Sequence, residues 1–369
     1  MVFRRRGQFD VLIVGPYPPP LGGVSSHVRQ VALELRAAGY RLGVIDHFGG
    51  RRAPAPVVAS LRRNPARYLF ELPRWRSQVV HYHHAGRTSI LLSAALARRA
   101  RRQARWVITV HNRSLTPDGP PTRVRSRLIR WALNQFDHVI AVSREVQLGL
   151  AEYLPGRAIS VLPAFAGVEE AGTGSLEEET RRFVVSGGAT LIISAYRVRL
   201  DRSGGDIYGL GFAAQLFESL AAEIGDLRLA LFLARGPHNR ATRRYVSESY
   251  RRLERAYPGR IRLAIGEPLV PAFGPTTIYL RPTQTDGDAV SVREALALGV
   301  PVLASDVAAR PHGVRTLSLS DRSQWIDAIR ESATVAGSAR PRPRPRQGPN
   351  EDLATLLSLY DRLVAGPNE

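Results

Sequence analysis

The sequence predicts an α/β protein built as two parallel, doubly wound sheets in tandem. Three observations carry that expectation. Short aliphatic runs that suit buried parallel strands alternate with stretches of helical periodicity along the chain. The alternation is interrupted once, by an acidic, Gly-rich stretch at 166–190, and then resumes. A length of 369 residues also exceeds what one core ordinarily accommodates, so two domains are expected.

The first element is the aliphatic run from Asp10 to Gly15, which ends in a Gly-Pro turn. The Gly-rich loop PPPLGGVSSHV leads into a helix with Val28, Val31, Ala32 and Leu35 on one face. Ser25 or Ser26 can cap that helix and Gly39 can end it. RLGVID then reads as a strand, completing a βαβ unit. The pattern continues through SQVVHYHH (strand), Ile90 to Arg102 (helix), ARWVITVHN (strand), Thr122 to Asn134 (helix), FDHVIAVS (strand), Arg144 to Tyr153 (helix) and AISVLPAF (strand). Strands alternating with helices predict a parallel sheet covered on both faces.

GVEEAGTGSLEEETRRFVVSGGA reads as a linker with a lead-in helix. The second series is TLIISAY, a helix over Gly209 to Ile224, LRLALFLARG, a charged helix to about Tyr257, RIRLAIG and TTIYLRP. It closes on TDGDAVSVREALALGVPVLASD, a turn, a helix and a strand. The expected domains are therefore Rossmann-like halves at 1–165 and 166–348, facing each other across a cleft. The Pro/Arg alternation at 339–348 reads as a mobile extended segment. A last helix at 349–369, with Leu353, Leu356, Leu357 and Tyr360 at helical spacing, is expected to cross back to the first half.

Composition excludes several classes of protein. No cysteine occurs, so disulfides and thiolate metal sites are absent. The apolar runs are too short for a membrane span or a signal segment, which predicts a soluble, cytoplasmic chain. The net charge of +20 is carried by arginine alone, since the chain contains no lysine. Codon bias in a GC-rich genome explains such usage, yet attraction to anionic surfaces follows regardless.

Ligands of open parallel sheets sit beyond the carboxyl ends of the strands. The chemistry-bearing residues fall there: Gly22, Gly23, His81 to His84, His111, Arg197 and Asp286. Together with GGVSSHV, VITVHN, FDHVIAVS, the TDGDAVSVREALALGVPVLASD block and the LLSLYDRLV helix, in that order, they make the sequence resemble the GT-B-fold nucleotide-sugar glycosyltransferases of family 4. In that family the block holds two Glu residues separated by seven others. Asp286 and Glu294 occupy the two positions here, so the first carboxylate is one methylene shorter.

The resemblance implies roles. Backbone amides at Asp288, Ala289 and Val290, at a helix N-terminus, would meet the donor diphosphate. Glu294 would accept from ribose hydroxyls, and Asp286 would reach hydroxyls of the donor sugar. A structural alternative has Asp286 and Asp288 only capping the helix, with Glu294 solvated. The family grips the diphosphate with an Arg and a Lys. With no lysine, Arg197 is the positional match, and Arg199 and Arg202 compete for the second role. Gly22 and Gly23 would allow close approach of the backbone to the donor. His111 would lie near the transferred sugar, and His83 and His84 would shape the acceptor side. A metal site in HYHHAG is not expected, because His81 and His83 share a strand face while His84 points the other way.

The implied activity is retaining transfer of a sugar from a nucleotide-diphosphate donor, UDP-linked or GDP-linked, to a hydroxyl of a glycan or lipid-linked glycan. The implied setting is bacterial envelope polysaccharide biosynthesis, with no metal or other cofactor and no nucleic acid. Arg123, Arg127 and Arg130 form a helical stripe, with Val124, Leu128 and Trp131 expected on the other face. That stripe suggests peripheral docking on anionic lipid at the inner face of the membrane. The alternatives are a non-catalytic scaffold binding anionic polymers, or another GT-B enzyme such as a nucleotide-sugar epimerase.

Overall fold

The computed structural model describes residues 7–18, 22–47, 56–61, 64, 67–83, 87–100, 104–111, 115, 123–164, 175–185, 188–201, 203–286, 289–337 and 351–365. The Pro/Arg segment expected at 339–348 lies outside them. The chain divides into two compact units. One comprises Met1–Pro19, Val24–Phe165 and Gly348–Glu369, the other Pro20–Gly23 and Ala166–Gln347.

The first unit holds a seven-stranded sheet in the order β3-β2-β1-β4-β5-β6-β7. Its strands are β1 (Gly7–Gly15), β2 (Leu42–Asp46), β3 (Val57–Ser60), β4 (Trp75–His83), β5 (Arg105–Val110), β6 (His138–Ala141) and β7 (Ser160–Val161). Every pairing is parallel. Helices α1 (Gly23–Ala37), α2 (Tyr68–Glu71), α3 (Arg87–Ala100), α4 (Arg123–Leu133) and α5 (Arg144–Ala151) connect them. Val11 to Val14 are fully covered, and the α1 face of Val28, Val31, Ala32 and Leu35 packs onto them as the periodicity predicts. Ser25 and Ser26 do not precede α1. The helix starts at Gly23, so both serines lie inside its first turn and Ser25 is buried.

The second unit holds a six-stranded parallel sheet in the order β10-β9-β8-β11-β12-β13. Its strands are β8 (Thr190–Ala195), β9 (Arg228–Leu233), β10 (Ile261–Ile265), β11 (Thr277–Arg281), β12 (Val302–Ser305) and β13 (Val314–Leu317). Its helices are α6 (Glu178–Val185), α7 (Leu210–Leu220), α8 (Arg240–Ala256), α9 (Val290–Ala297) and α10 (Arg322–Gly337). Sequence periodicity missed β3, β13, α10 and the single turn α2. Both strands are only four residues long, and the outermost, β13, keeps Arg315 and Thr316 exposed, so neither shows a long apolar run.

The last helix, α11 (Glu351–Ala365), belongs to the first unit. Leu356, Leu359 and Tyr360 join the core of β1, β4 and α1. The Tyr360 hydroxyl hydrogen-bonds Nδ1 of buried His81 on β4, and His81 Nε2 bonds Thr109 Oγ1 at 2.7 Å. Burying three such side chains contributes on the order of 1.5–3 kcal/mol each.

One correction concerns α4. Val124 and Leu128 are 68% and 47% exposed, whereas Ile129, Ala132 and Leu133 are buried. Successive helical residues turn by about 100°, so Val124 and Leu128 border the arginine stripe instead of opposing it. Exposed Arg127 and Arg130 therefore share one outward surface with two apolar side chains.

Candidate functional site

In the second unit the chain leaves β8 toward β9 on one side, while β11, hydrogen-bonded on the other side, leads to β12. Loops from neighbouring strands thus diverge at the β8/β11 boundary, where open sheets form their binding crevices. A glycine shapes this edge. Gly209 has φ of 78°, and a Cβ there would lie 2.0 Å from the carbonyl oxygen of Pro282. The loop after β8 can therefore press directly against the segment following β11. Asp206 anchors that loop by accepting from the amides of Tyr208 and Gly211 and from the Tyr245 hydroxyl.

Arg281 ends β11 and donates to both oxygens of Asp286 at 2.9 Å. Arg310 adds a bond to Oδ2 at 2.7 Å while its Nε donates to the Ser305 carbonyl. All three side chains are nearly buried. Desolvation pushes the Asp286 carboxyl up, but Arg281 and Arg310 outweigh it and hold the group below its ordinary value. Two guanidiniums face one carboxylate here. Sequence reading expected Asp286 to reach a sugar; in the fold its oxygens accept from Arg281 and Arg310. It is not the N-cap of α9 either: that position is Ala289, and no side-chain cap is present among the described residues.

The first turn of α9 is fixed by a hydroxyl relay. Ser194 on β8 and Ser291 on α9 both bond the Tyr279 hydroxyl on β11, each at 2.7 Å. With no side-chain cap and no acid in its first turn, α9 presents amide donors and its positive dipole end around Ala289 and Val290. One turn further in, Glu294 is buried. It has no hydrogen-bond partner among the described residues, and burial alone pushes its carboxyl up to about 7. The solvated alternative for Glu294 is therefore excluded.

Arg197 lies just past β8, half-buried, with Nε inaccessible to water and unpartnered. Arg235, just past β9, has the same features, and its backbone amide bonds the carbonyl of Tyr196 at 2.9 Å. Sequence reasoning missed Arg235 and Arg310. Position at a strand end in LFLARG was the one available signal for Arg235, and nothing marked Arg310 among the many arginines. Arg199 is exposed. Arg202, Asp288 and His84 lie outside the described residues.

Gly23 opens α1 and is exposed, and Gly22 precedes it; both fall in Pro20–Gly23, the short stretch grouped with the second unit. His83 ends β4 and His111 follows β5; both are buried, with His83 Nδ1 and His111 Nε2 3.0 Å apart. His27 of α1 packs on both rings at centroid distances of 5.4 and 5.2 Å. His81 and His83 share a face, with ring centroids 4.2 Å apart, as strand alternation predicts. Thus Arg197, Asp286, Ala289, Val290 and Glu294 gather at the strand ends of the second unit's sheet, and His83 and His111 at the strand ends of the first.

Two parallel, doubly wound sheets define an α/β protein of the GT-B architecture, and solved structures carry the same fold over nearly the whole chain. Sucrose-phosphate synthase from Thermosynechococcus elongatus matches with a TM-score of 0.65 at 15% identity, covering 98% of this chain and 100% of that one. A glycosyltransferase from Rickettsia africae matches at 0.64 and 15%, covering 97% and 99%. HepE from Anabaena, solved with UDP and glucose, matches at 0.63 and 13%, covering 96% of each chain. Residues 21–166 match the sequence model of Glycosyltransferase Family 4. The likeness to that family is present in sequence over residues 21–166, and the likeness in fold to the solved structures extends over nearly the whole chain. Among curated proteins, none matches the sequence. No helix among the described residues is long and apolar enough to cross a membrane.

Proposed function

We propose that the protein is a retaining glycosyltransferase that moves a sugar from a nucleotide-diphosphate donor to a hydroxyl of a glycan or lipid-linked glycan. The observation that carries this reading is Glu294, a buried carboxyl with no hydrogen-bond partner among the described residues, one turn inside a helix with no side-chain cap among them. A buried, unsatisfied carboxyl is costly. A ribose diol would satisfy it, while the amides at Ala289 and Val290 meet the diphosphate and Arg197 and Arg235 supply positive charge. A UDP-sugar is favoured by HepE, whose structures hold UDP with glucose and UDP-glucose.

Departure of the nucleotide leaves charge on its terminal phosphate. Fixed amides and guanidiniums stabilise that charge without reorganising. The same phosphate oxygen can take the proton of the incoming hydroxyl on the front face, so no separate protein base is assigned. Asp286 holds the loop through Arg281 and Arg310, and His111 acts by position, since its Nε2 is engaged with His83. Exposed Val124 and Leu128 beside Arg127 and Arg130 support docking on an anionic membrane, which would present a lipid-linked acceptor.

Calorimetry with UDP, GDP and ADP tests the donor side, followed by product analysis with the corresponding sugar donors. One diphosphate should bind, and Glu294→Ala should weaken it at least tenfold. Binding of none of them would remove the reading.

A further inference from the structure

We propose that His27, His83 and His111 form a three-imidazole site for a divalent transition metal of the zinc class. The site goes beyond sugar transfer; it shares His83 and His111 with that reading but none of the groups assigned to the donor diphosphate, so metal binding and nucleotide binding are read out separately.

Three separate elements build it. His27 comes from the second turn of α1, His83 from the last position of β4 and His111 from the residue after β5. Register aligns the last two: His83 pairs with Thr109, two residues before His111. The sheet order sets β1 beside β4, and α1 packs over that pair. Gly15 at the end of β1 makes room, because a Cβ there would lie 3.0 Å from the Cβ of His83.

One ligating nitrogen from each ring lies within 4.8 Å of the other two, and all three residues are buried. Four-coordinate zinc with bonds of about 2.0–2.1 Å to imidazole holds its nitrogens about 3.3 Å apart. The His83–His111 nitrogen pair, at 3.0 Å, is already close to that spacing. The third ring, His27, brings a nitrogen within 4.8 Å of both.

The nitrogen inventory separates a metal site from an ordinary buried network. His81, next to His83 on the same face, has both ring nitrogens bonded, to Tyr360 and Thr109. His83 bonds only through Nδ1, and only to His111 of the trio itself, while its Nε2 is buried with no partner, so neither ring nitrogen is committed outside the trio. Metal ligation uses neutral imidazole, and the three rings are buried together. The absence of any carboxylate from the set favours zinc, copper, nickel or cobalt over magnesium and calcium. Three protein ligands leave a fourth position for water or hydroxide. The metal would tie α1 to the ends of β4 and β5.

The test uses the full chain without a polyhistidine tag, stripped with chelator and titrated with Zn2+ by calorimetry and with Co2+ by visible absorption. One equivalent should bind, with the spectrum of four-coordinate cobalt. His27→Gln, His83→Gln and His111→Gln should each weaken binding at least tenfold, while His312→Gln, an exposed histidine of the second unit, should not. Less than one equivalent, a six-coordinate cobalt spectrum, or binding unchanged in any of the trio variants overturns the proposal. If His83→Gln fails to fold, the spectrum of the unaltered protein and the other two variants still decide.

Discussion

Arg310 and Asp286, 24 residues apart, meet in a buried ion pair with Nη1 and Oδ2 2.7 Å apart, on a carboxylate that Arg281 already holds with two bonds. The loop between β11 and α9 is thus fastened to the segment after β12 by charge. Removing one partner of a buried pair strands the others, at a cost of about 3–5 kcal/mol. Asp286→Asn should lower unfolding stability by that order in a urea titration. The low carboxyl value of Asp286 gives a pH signature. Its stabilisation is present above the ordinary carboxylate value and is lost as pH falls through the lower folded-state value. The difference between Asp286→Asn and the unaltered chain should therefore shrink in acid. Unchanged stability at neutral pH would show that the clamp contributes nothing.

Glu294 works in the opposite direction. Its carboxyl is raised from 4.5 to about 7 in the folded chain, corresponding to about 3 kcal/mol between the protonation states. The folded state holds the proton more tightly, so stability falls as pH rises from about 4.5 to 7 and stays low above. Glu294→Gln should raise the melting temperature at pH 8 and leave it nearly unchanged at pH 4, when the two are followed by calorimetry. The same variant should lose nucleotide binding, so stability and binding move apart. A melting temperature that does not change at pH 8 would contradict the buried, unpartnered carboxyl.

Arg197 and Arg235 should share the anion. Each carries a buried Nε without a partner, and a charge-assisted bond contributes about 1.5–3 kcal/mol. Arg197→Ala and Arg235→Ala should each weaken diphosphate binding roughly 10- to 150-fold by that measure. The corresponding nucleoside should bind equally well to all three proteins, and equal losses for nucleoside and diphosphate would assign both arginines to another part of the ligand.

For α4, flotation with vesicles containing anionic lipid should capture the protein. Arg127→Gln with Arg130→Gln should reduce capture, at about 1 kcal/mol per charge. Val124→Ser with Leu128→Ser should reduce it further at high salt, where screening leaves only the apolar part. Equal capture by neutral vesicles would rule out the electrostatic share.

Much of this architecture was legible in the residues. The aliphatic runs VLIVG, WVITV, LIIS and LALFL declared buried parallel strands because both faces of such strands are covered. The place of Glu294 inside a helix was readable from the residues, while its role came from the family resemblance. What escaped depends on partners distant in sequence. Arg310 is one arginine among many until the strand order brings it to Asp286. His27 reads as a helix residue in GGVSSHV, and only the packing of α1 joins it to His83 and His111. Val124 and Leu128 show a further limit. A hydrophobic residue on an amphipathic helix was assigned to the inner face, and the phase of the turn placed it outside.

The place of α11 has a consequence for how the protein is made. The core around β1, β4 and α1 requires Leu356, Leu359 and Tyr360, which are translated only after the whole of the second unit. Domains generally fold as units, in order of their appearance during synthesis. On the ribosome, the unit that begins first must therefore finish last. Its opening strands wait with an uncovered apolar groove while β8 to β13 assemble, and in that interval the nascent chain is most exposed to aggregation and most in need of a chaperone.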